Sequence, residues 1–174
     1  MKTCEVYKVI RYFNYFTRTK MYSFASDLLA PIYELEYKIG KRTIPKMGGI
    51  FVFKNEECAR QFAINNQNVS TRGILSYSVR ILKGIAENPI ARKTVCFTSE
   101  ADLRYTLWQR ARNGNKKAES LSVPPKSLED LFNIYWDCIK NKKKQIIPNF
   151  PAPNGTLVCD AFTPTEMLEQ AKDS

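Results

Sequence analysis

The sequence predicts an α+β protein: a mostly antiparallel sheet, a short helix after the fourth strand, and a helical pair inserted before the last strand. Three observations carry this. Short β-branched and aromatic runs recur through residues 4–98 and return at 156–162. Helical spacing with capping signals falls instead at 55–64, across 99–144 and after 163. The 174 residues, 44% hydrophobic, suffice for one core and force no second domain. The expected organisation is one domain over 1–174, with a sheet core from 1–98 and 148–174 and a helical insertion at 99–147.

Residues 4–11, CEVYKVIR, are β-prone and contain no breaker. The aromatic stretch 12–26 holds a second strand around Lys20 to Ala25. In 33–39, Tyr33, Leu35, Tyr37 and Ile39 alternate with Glu34, Glu36 and Lys38, which predicts a strand with one apolar and one charged face, ended by Gly40. Gly48-Gly49 lead into Ile50-Phe51-Val52-Phe53, a continuous apolar run typical of a strand buried on both sides. Asn55 then caps a short helix that packs through Cys58, Ala59 and Phe62. Two more strands follow at 75–86 and 92–98, joined by a turn at Glu87-Asn88-Pro89.

Ser99 with Asp102 opens a helix whose Leu103, Leu107, Trp108 and Ala111 share a face, and Gly114 stops it. Ser127 caps a second helix using Leu128, Leu131, Phe132, Tyr135 and Ile139. Pro148, Pro151 and Pro153 mark an extended passage before a last strand, TLVCDAF. Thr163-Pro164-Thr165-Glu166 reads as a helix start, with a cap, Pro at the first helical position and Glu two further on.

Composition narrows function chiefly by exclusion. There is no histidine, which removes Ser-His-Asp and Cys-His catalysis and His-based metal sites. Neither a phosphate-cradling P-loop nor a G-x-G-x-x-G is present. Cys4, Cys58, Cys96, Cys138 and Cys159 are scattered and never form a C-x-x-C pair, which fits free thiols in a reducing compartment. No apolar run approaches the ~20 residues of a membrane span, and the N-terminus lacks a secretory signal. The expectation is a cytoplasmic protein, in the host interior if the gene is viral, with no cofactor, no metal and no membrane partner.

The net charge is +10, from 27 Lys and Arg against 17 Asp and Glu. Residues 148–174 carry one base and four acids, so the positive excess lies in the body. Such a field favours nucleic acid, acidic host protein surfaces or an anionic small ligand. The candidate binding residues are the basic clusters of the inserted helices: Arg104, Arg110, Arg112, Lys116 and Lys117, then Lys140, Lys142, Lys143 and Lys144. A further cluster interleaves Tyr12, Phe13, Tyr15, Phe16, Tyr22 and Phe24 with Arg11, Arg18 and Lys20. It fits either single-strand binding or the core of a small β-rich domain.

Two carboxylate patterns offer an enzymatic alternative. Asp27 followed by Glu36-Tyr37-Lys38 resembles the D…(D/E)-x-K signature of metal-dependent nucleases, with Glu36 as ligand and Lys38 orienting water. Glu34-Leu35-Glu36 is similar to the E-x-E of arginine-type ADP-ribosyltransferases, with Arg11 on a first strand. In that family the serine-rich strand precedes the glutamates, whereas here Ser76-Tyr77-Ser78 follows them. The favoured reading is a non-enzymatic binding protein.

One longer pattern joins Tyr37-Lys38-Ile39-Gly40, Thr43-Ile44-Pro45, Gly48 to Phe53, and Glu57-Cys58-Ala59-Arg60-Gln61-Phe62. It resembles uncharacterised α+β accessory proteins of bacteriophages and large DNA viruses, over about a quarter of the chain. Thr156 to Asp160 with Thr163-Pro164 resembles their closing strand. The resemblance implies a viral or phage accessory factor and an α+β fold, and it implies no catalytic residues.

Overall fold

The computed structural model describes residues 1–15, 18–23, 35–46, 48–66, 77–95 and 150–168. Its longest element is β1 (Thr3–Tyr15), whose two edges organise the sheet. On one edge lies β4 (Ser78–Glu87), paired antiparallel from Thr3↔Glu87 to Tyr12↔Ser78. The other edge is shared by β2 (Arg18–Ser23), which pairs with Ile10 to Tyr15, and β3 (Ile50–Phe53), which touches it at Tyr7↔Phe53. Outward from β3 come β8 (Thr156–Cys159) and the two-residue β5 (Ile90–Ala91), while β9 (Ala161–Leu168) pairs with β4. All these pairings are antiparallel. β6 (Thr94–Val95) and β7 (Phe150–Pro151) form a separate two-stranded piece.

Both faces of the sheet are apolar, and each has its own cover. One face gathers Val9, Phe53, Val79 and Ile81 against Ala59 and Ala63 of α1 (Glu56–Asn66), with Cys58 and Phe62 alongside. The helix starts where Asn55 Oδ1 accepts from the Cys58 amide at 2.9 Å, a cap that contributes about 1 kcal/mol. The other face carries Val6, Ile10, Ile50, Val52, Leu82, Ala86, Cys159 and Phe162, with Tyr37 packed among them. Burying side chains of this size stabilises the fold by roughly 1.5–3 kcal/mol each relative to leaving them exposed.

Residues 35–43 provide the second cover. At one end, Ser23 N donates to Leu35 O and Tyr37 N to Met21 O, fastening the chain to β2. At the other, Gly40 N donates to Pro164 O, and Thr43 and Phe162 exchange two backbone hydrogen bonds on β9. Since β2 and β9 flank opposite sides of the β1–β4 pair, this segment crosses the face and ties the two edges together. The Tyr37 ring meets Phe162 edge-on, with centroids 5.9 Å apart.

The structure corrects several expectations. Of the strand expected over 33–39, the described residues 35–39 form none: Glu36 makes one isolated bridge to Tyr22, and the chain turns at Gly40, φ 75°. The left-handed turn, closed by Lys41 N to Lys38 O, takes Ile39 out of alternation and leaves it exposed. Among the described residues the helix follows the third strand. TLVCDAF is two strands broken at Asp160, because β8 serves β3 whereas β9 serves β4. The helix start at Thr163 is a strand too. Pairing along β4 overrides the local cap signal, and Pro164 is tolerated beside the register shift at Lys83/Gly84. Of the strand placed at 92–98, only Thr94–Val95 is strand among the described residues, β5 lying ahead of it at Ile90–Ala91 and Cys96 onward falling outside them.

The first strand, the helix packing through Cys58, Ala59 and Phe62, and the turn at Glu87-Asn88-Pro89 all stand where the sequence put them. Asn88 adopts φ 49° and binds Asp160 through its side-chain amide. The helical pair of 99–147 lies outside the described residues, among which no helix is long and apolar enough to cross a membrane.

Candidate functional site

Of the residues singled out for nuclease-like chemistry, Glu36 and Lys38 are brought together. Lys38 Nζ lies 3.4 Å from Glu36 Oε1 on the exposed side of the crossing segment. Asp27 and Glu34 lie outside the described residues, as do Arg104, Arg110, Arg112, Lys116, Lys117, Lys140, Lys142, Lys143 and Lys144. Among the described residues no group of three or more His, Cys, Asp or Glu could hold a metal ion. Glu36 is thus a carboxylate answered by its neighbouring lysine on an exposed turn.

The aromatic and basic cluster is assembled by the β1–β2 hairpin. Its register sets Arg11 opposite Tyr22 and Phe13 opposite Lys20. The Arg11 guanidinium lies 5.8 Å from the Phe13 centroid and 5.6 Å from that of Tyr77, while its Nε donates to Ser23 O. Lys20 sits over Tyr22 and Arg80 over Tyr12 at similar distances. These rings hold the protein's own cations and one another, and Phe13 is buried. Packing accounts for the geometry of Tyr12, Phe13, Tyr22, Arg11 and Lys20, while Phe16, Phe24 and the side chains of Tyr15 and Arg18 lie outside the described residues. Tyr77 and Arg80, which complete the cluster from β4 and its approach, carry no sequence signal linking them to it.

Sequence reasoning missed a lysine inside the core, where it stands with Cys159 and Tyr37. Lys8 is only 8% exposed, on the same sheet face as Val6 and Ile10. Its ammonium donates to Phe51 O at 2.8 Å. That bond fills the gap left where β1 and β3 pair at a single position. Burial pulls the Lys8 pKa down to about 8. Burial likewise pushes the Cys159 thiol up to about 12, and its Sγ donates to Ile50 O. Tyr37 is 1% exposed, its hydroxyl finds no partner among the described residues, and burial raises its pKa.

Tyr37→Phe keeps the ring contact with Phe162 and removes the buried hydroxyl. It is expected to stabilise the fold by about 1 kcal/mol in urea denaturation. A loss of stability would instead show that the hydroxyl is paired.

Outside the core, charge is distributed unevenly. Glu5, Glu36, Glu56, Glu87 and Glu166 each lie within 3.5 Å of a cation. The strongest pair is bidentate: Arg42 Nε and Nη2 reach Glu87 at 2.6 and 2.7 Å, and this holds the Glu87 carboxyl below its usual range. Lys41, Lys46, Lys54 and Lys93 are exposed and make no ion pair among the described residues.

Two of these lysines are gathered by the fold with Arg92, although Lys54 and Lys93 are far apart in sequence. Lys54 N donates to Gly155 O and Arg92 N to Thr156 O, so Lys54, Arg92 and Lys93 flank one turn at 153–156. Gly155, φ 74°, packs so tightly there that a Cβ would meet Cys58 Sγ. The chain matches no protein-family model, no curated protein and no solved structure.

Proposed function

We propose that this chain is a non-enzymatic binding protein whose basic surfaces engage nucleic acid, in the setting of a viral or phage accessory factor inside a host cell. One observation carries the reading: the described carboxylates are largely consumed in ion pairs, while exposed lysines remain unanswered, and folding collects Lys54, Arg92 and Lys93 around one turn. A surface of this kind attracts a phosphate backbone by counterion release and reads no sequence. The viral setting is supported by the resemblance of residues 37–62 and 156–164 to phage and viral accessory proteins. In this reading residues 99–147 form an inserted helical pair, and Arg104, Arg110, Arg112, Lys116, Lys117, Lys140, Lys142, Lys143 and Lys144 extend the basic surface.

The test is fluorescence anisotropy with labelled single-stranded and duplex nucleic acid across a salt series. Wild type is expected to bind with an affinity that falls steeply with salt. Lys54→Ala combined with Lys93→Ala is expected to weaken binding about tenfold at low salt and to lower the salt slope by about 2. No binding at low salt, or binding indifferent to salt and to both substitutions, removes the proposal. Running the same samples on a gel with Mg²⁺ reads cleavage. Cleavage lost in Glu36→Gln would move the chain into the nuclease class.

A further inference from the structure

The crossing segment presents an exterior that nucleic acid does not explain. Of the nine residues from Lys38 to Lys46, four are cations: Lys38, Lys41, Arg42 and Lys46. Among them stand Ile39 and Ile44, 46% and 57% exposed. Single exposed aliphatics are ordinary on protein surfaces. These two lie within six residues, each close to lysines, on a backbone that holds them outward.

The fastening is specific. Gly40 N donates to Pro164 O at 2.7 Å, Thr43 and Phe162 exchange bonds of 2.8 and 3.0 Å, and Arg42 grips Glu87 through two nitrogens. The core face under the segment is occupied by Tyr37 and Phe162, both fully buried, so the isoleucines have no space to turn into.

We infer that residues 38–46 form a contact patch for an anionic lipid surface, with Ile39 and Ile44 entering the headgroup–acyl boundary and the flanking lysines meeting lipid phosphates and carboxylates. Charge complementarity selects this occupant. Glu36 and Glu87 are each neutralised by a cation of the same segment, which leaves Lys41 and Lys46 in excess. A lipid surface rewards cations and aliphatics together. A phosphate backbone rewards only the cations and leaves the two isoleucines in water. The contact is interfacial and reversible; it requires no spanning helix. It stands against the expectation of no membrane partner, which rested on the missing apolar run.

The experiment is co-sedimentation of the full chain with vesicles of phosphatidylcholine alone and of phosphatidylcholine mixed with phosphatidylserine. Binding is expected only to the mixed vesicles. Lys41→Ala combined with Lys46→Ala is expected to lose about fivefold in partitioning per lysine. Ile39→Ser combined with Ile44→Ser is expected to lose about tenfold or more while nucleic-acid anisotropy and urea denaturation stay unchanged. Equal sedimentation of the isoleucine variant overturns the inference, because adhesion would then reflect only the +10 charge. Absence of sedimentation with mixed vesicles overturns it as well. A variant that keeps lipid binding but loses nucleic-acid binding assigns the patch to nucleic acid instead.

Discussion

Lys8→Met is expected to stabilise the fold by about 2 kcal/mol at neutral pH. The fall of the Lys8 pKa from 10.5 to about 8 means that the folded core disfavours its ammonium by about 3 kcal/mol. No carboxylate acts on Lys8 to offset that. Methionine has a similar length and no charge, so it fills the same space between Val6 and Ile10 without leaving a cavity. Against the gain stands the loss of the donor to Phe51 O, about 1 kcal/mol. The remainder is measurable as a higher urea midpoint with unchanged m-value. An unchanged or lower midpoint would mean that the Phe51 bond outweighs desolvation.

The same residue gives the protein an unusual pH profile. Between pH 8 and 10.5 the unfolded chain keeps a proton on Lys8 that the folded chain has lost, so stability rises with pH through that window. Cys159 acts with the opposite sign. Its pKa is raised from 9.0 to about 12, so above pH 9 the unfolded thiol ionises first and stability falls. Tyr37, also raised, adds to that fall above about pH 10. The sum is a rise from pH 8 to 9 followed by a plateau and a decline. In Lys8→Met the initial rise should vanish while the alkaline decline persists.

Lys8 also marks where sequence reading runs out. Alternation identifies a buried polar residue only when one face of a strand is polar, and β1 is apolar on both: Val6 and Ile10 on one face, Val9 and Phe13 on the other. A lysine in such a strand reads as an interruption of no particular direction. Local signals with no tertiary competitor were legible, as in the Asn55 cap, the Asn88 turn and the Cys58, Ala59 and Phe62 face of α1. Competing signals misled. The Thr163-Pro164 cap lost to seven pairing partners on β4, and the alternation read over 33–39 lost at Ile39 to the turn at Gly40. The gathering of Lys54 with Arg92 and Lys93 depends on β8 lying between β3 and β5, an order that no local spacing encodes. The candidate patch on 38–46 is hidden for a different reason, since the period of two places Ile39 inward.

Gly84→Ala is expected to destabilise the fold by about 3 kcal/mol. Gly84 lies inside β4 on the face that holds Leu82 and Ala86, opposite Val6 on one side and Pro164 on the other. A Cβ there would fall on the Thr163 carbonyl oxygen and within 2.7 Å of Pro164 Cα and the Phe162 ring. Two of those obstacles are backbone, so no rotamer change relieves them, and β9 must move away from β4. That shift has a particular consequence. Pro164 O and Phe162 are the anchors of Gly40 and Thr43, so displacing β9 loosens the crossing segment that displays Ile39, Lys41 and Ile44. Gly40→Ala provides the contrast, because its Cβ would meet nothing within 4 Å and its cost is the left-handed φ of 75° alone, about 1 kcal/mol. Urea midpoints of the two variants should therefore differ about threefold in their displacement from wild type. Hydrogen exchange at the Gly40 and Thr43 amides should quicken in Gly84→Ala well beyond its global loss of stability. Equal midpoints for the two variants would show that β9 yields at little expense, and that the close approach at Gly84 does not position the segment.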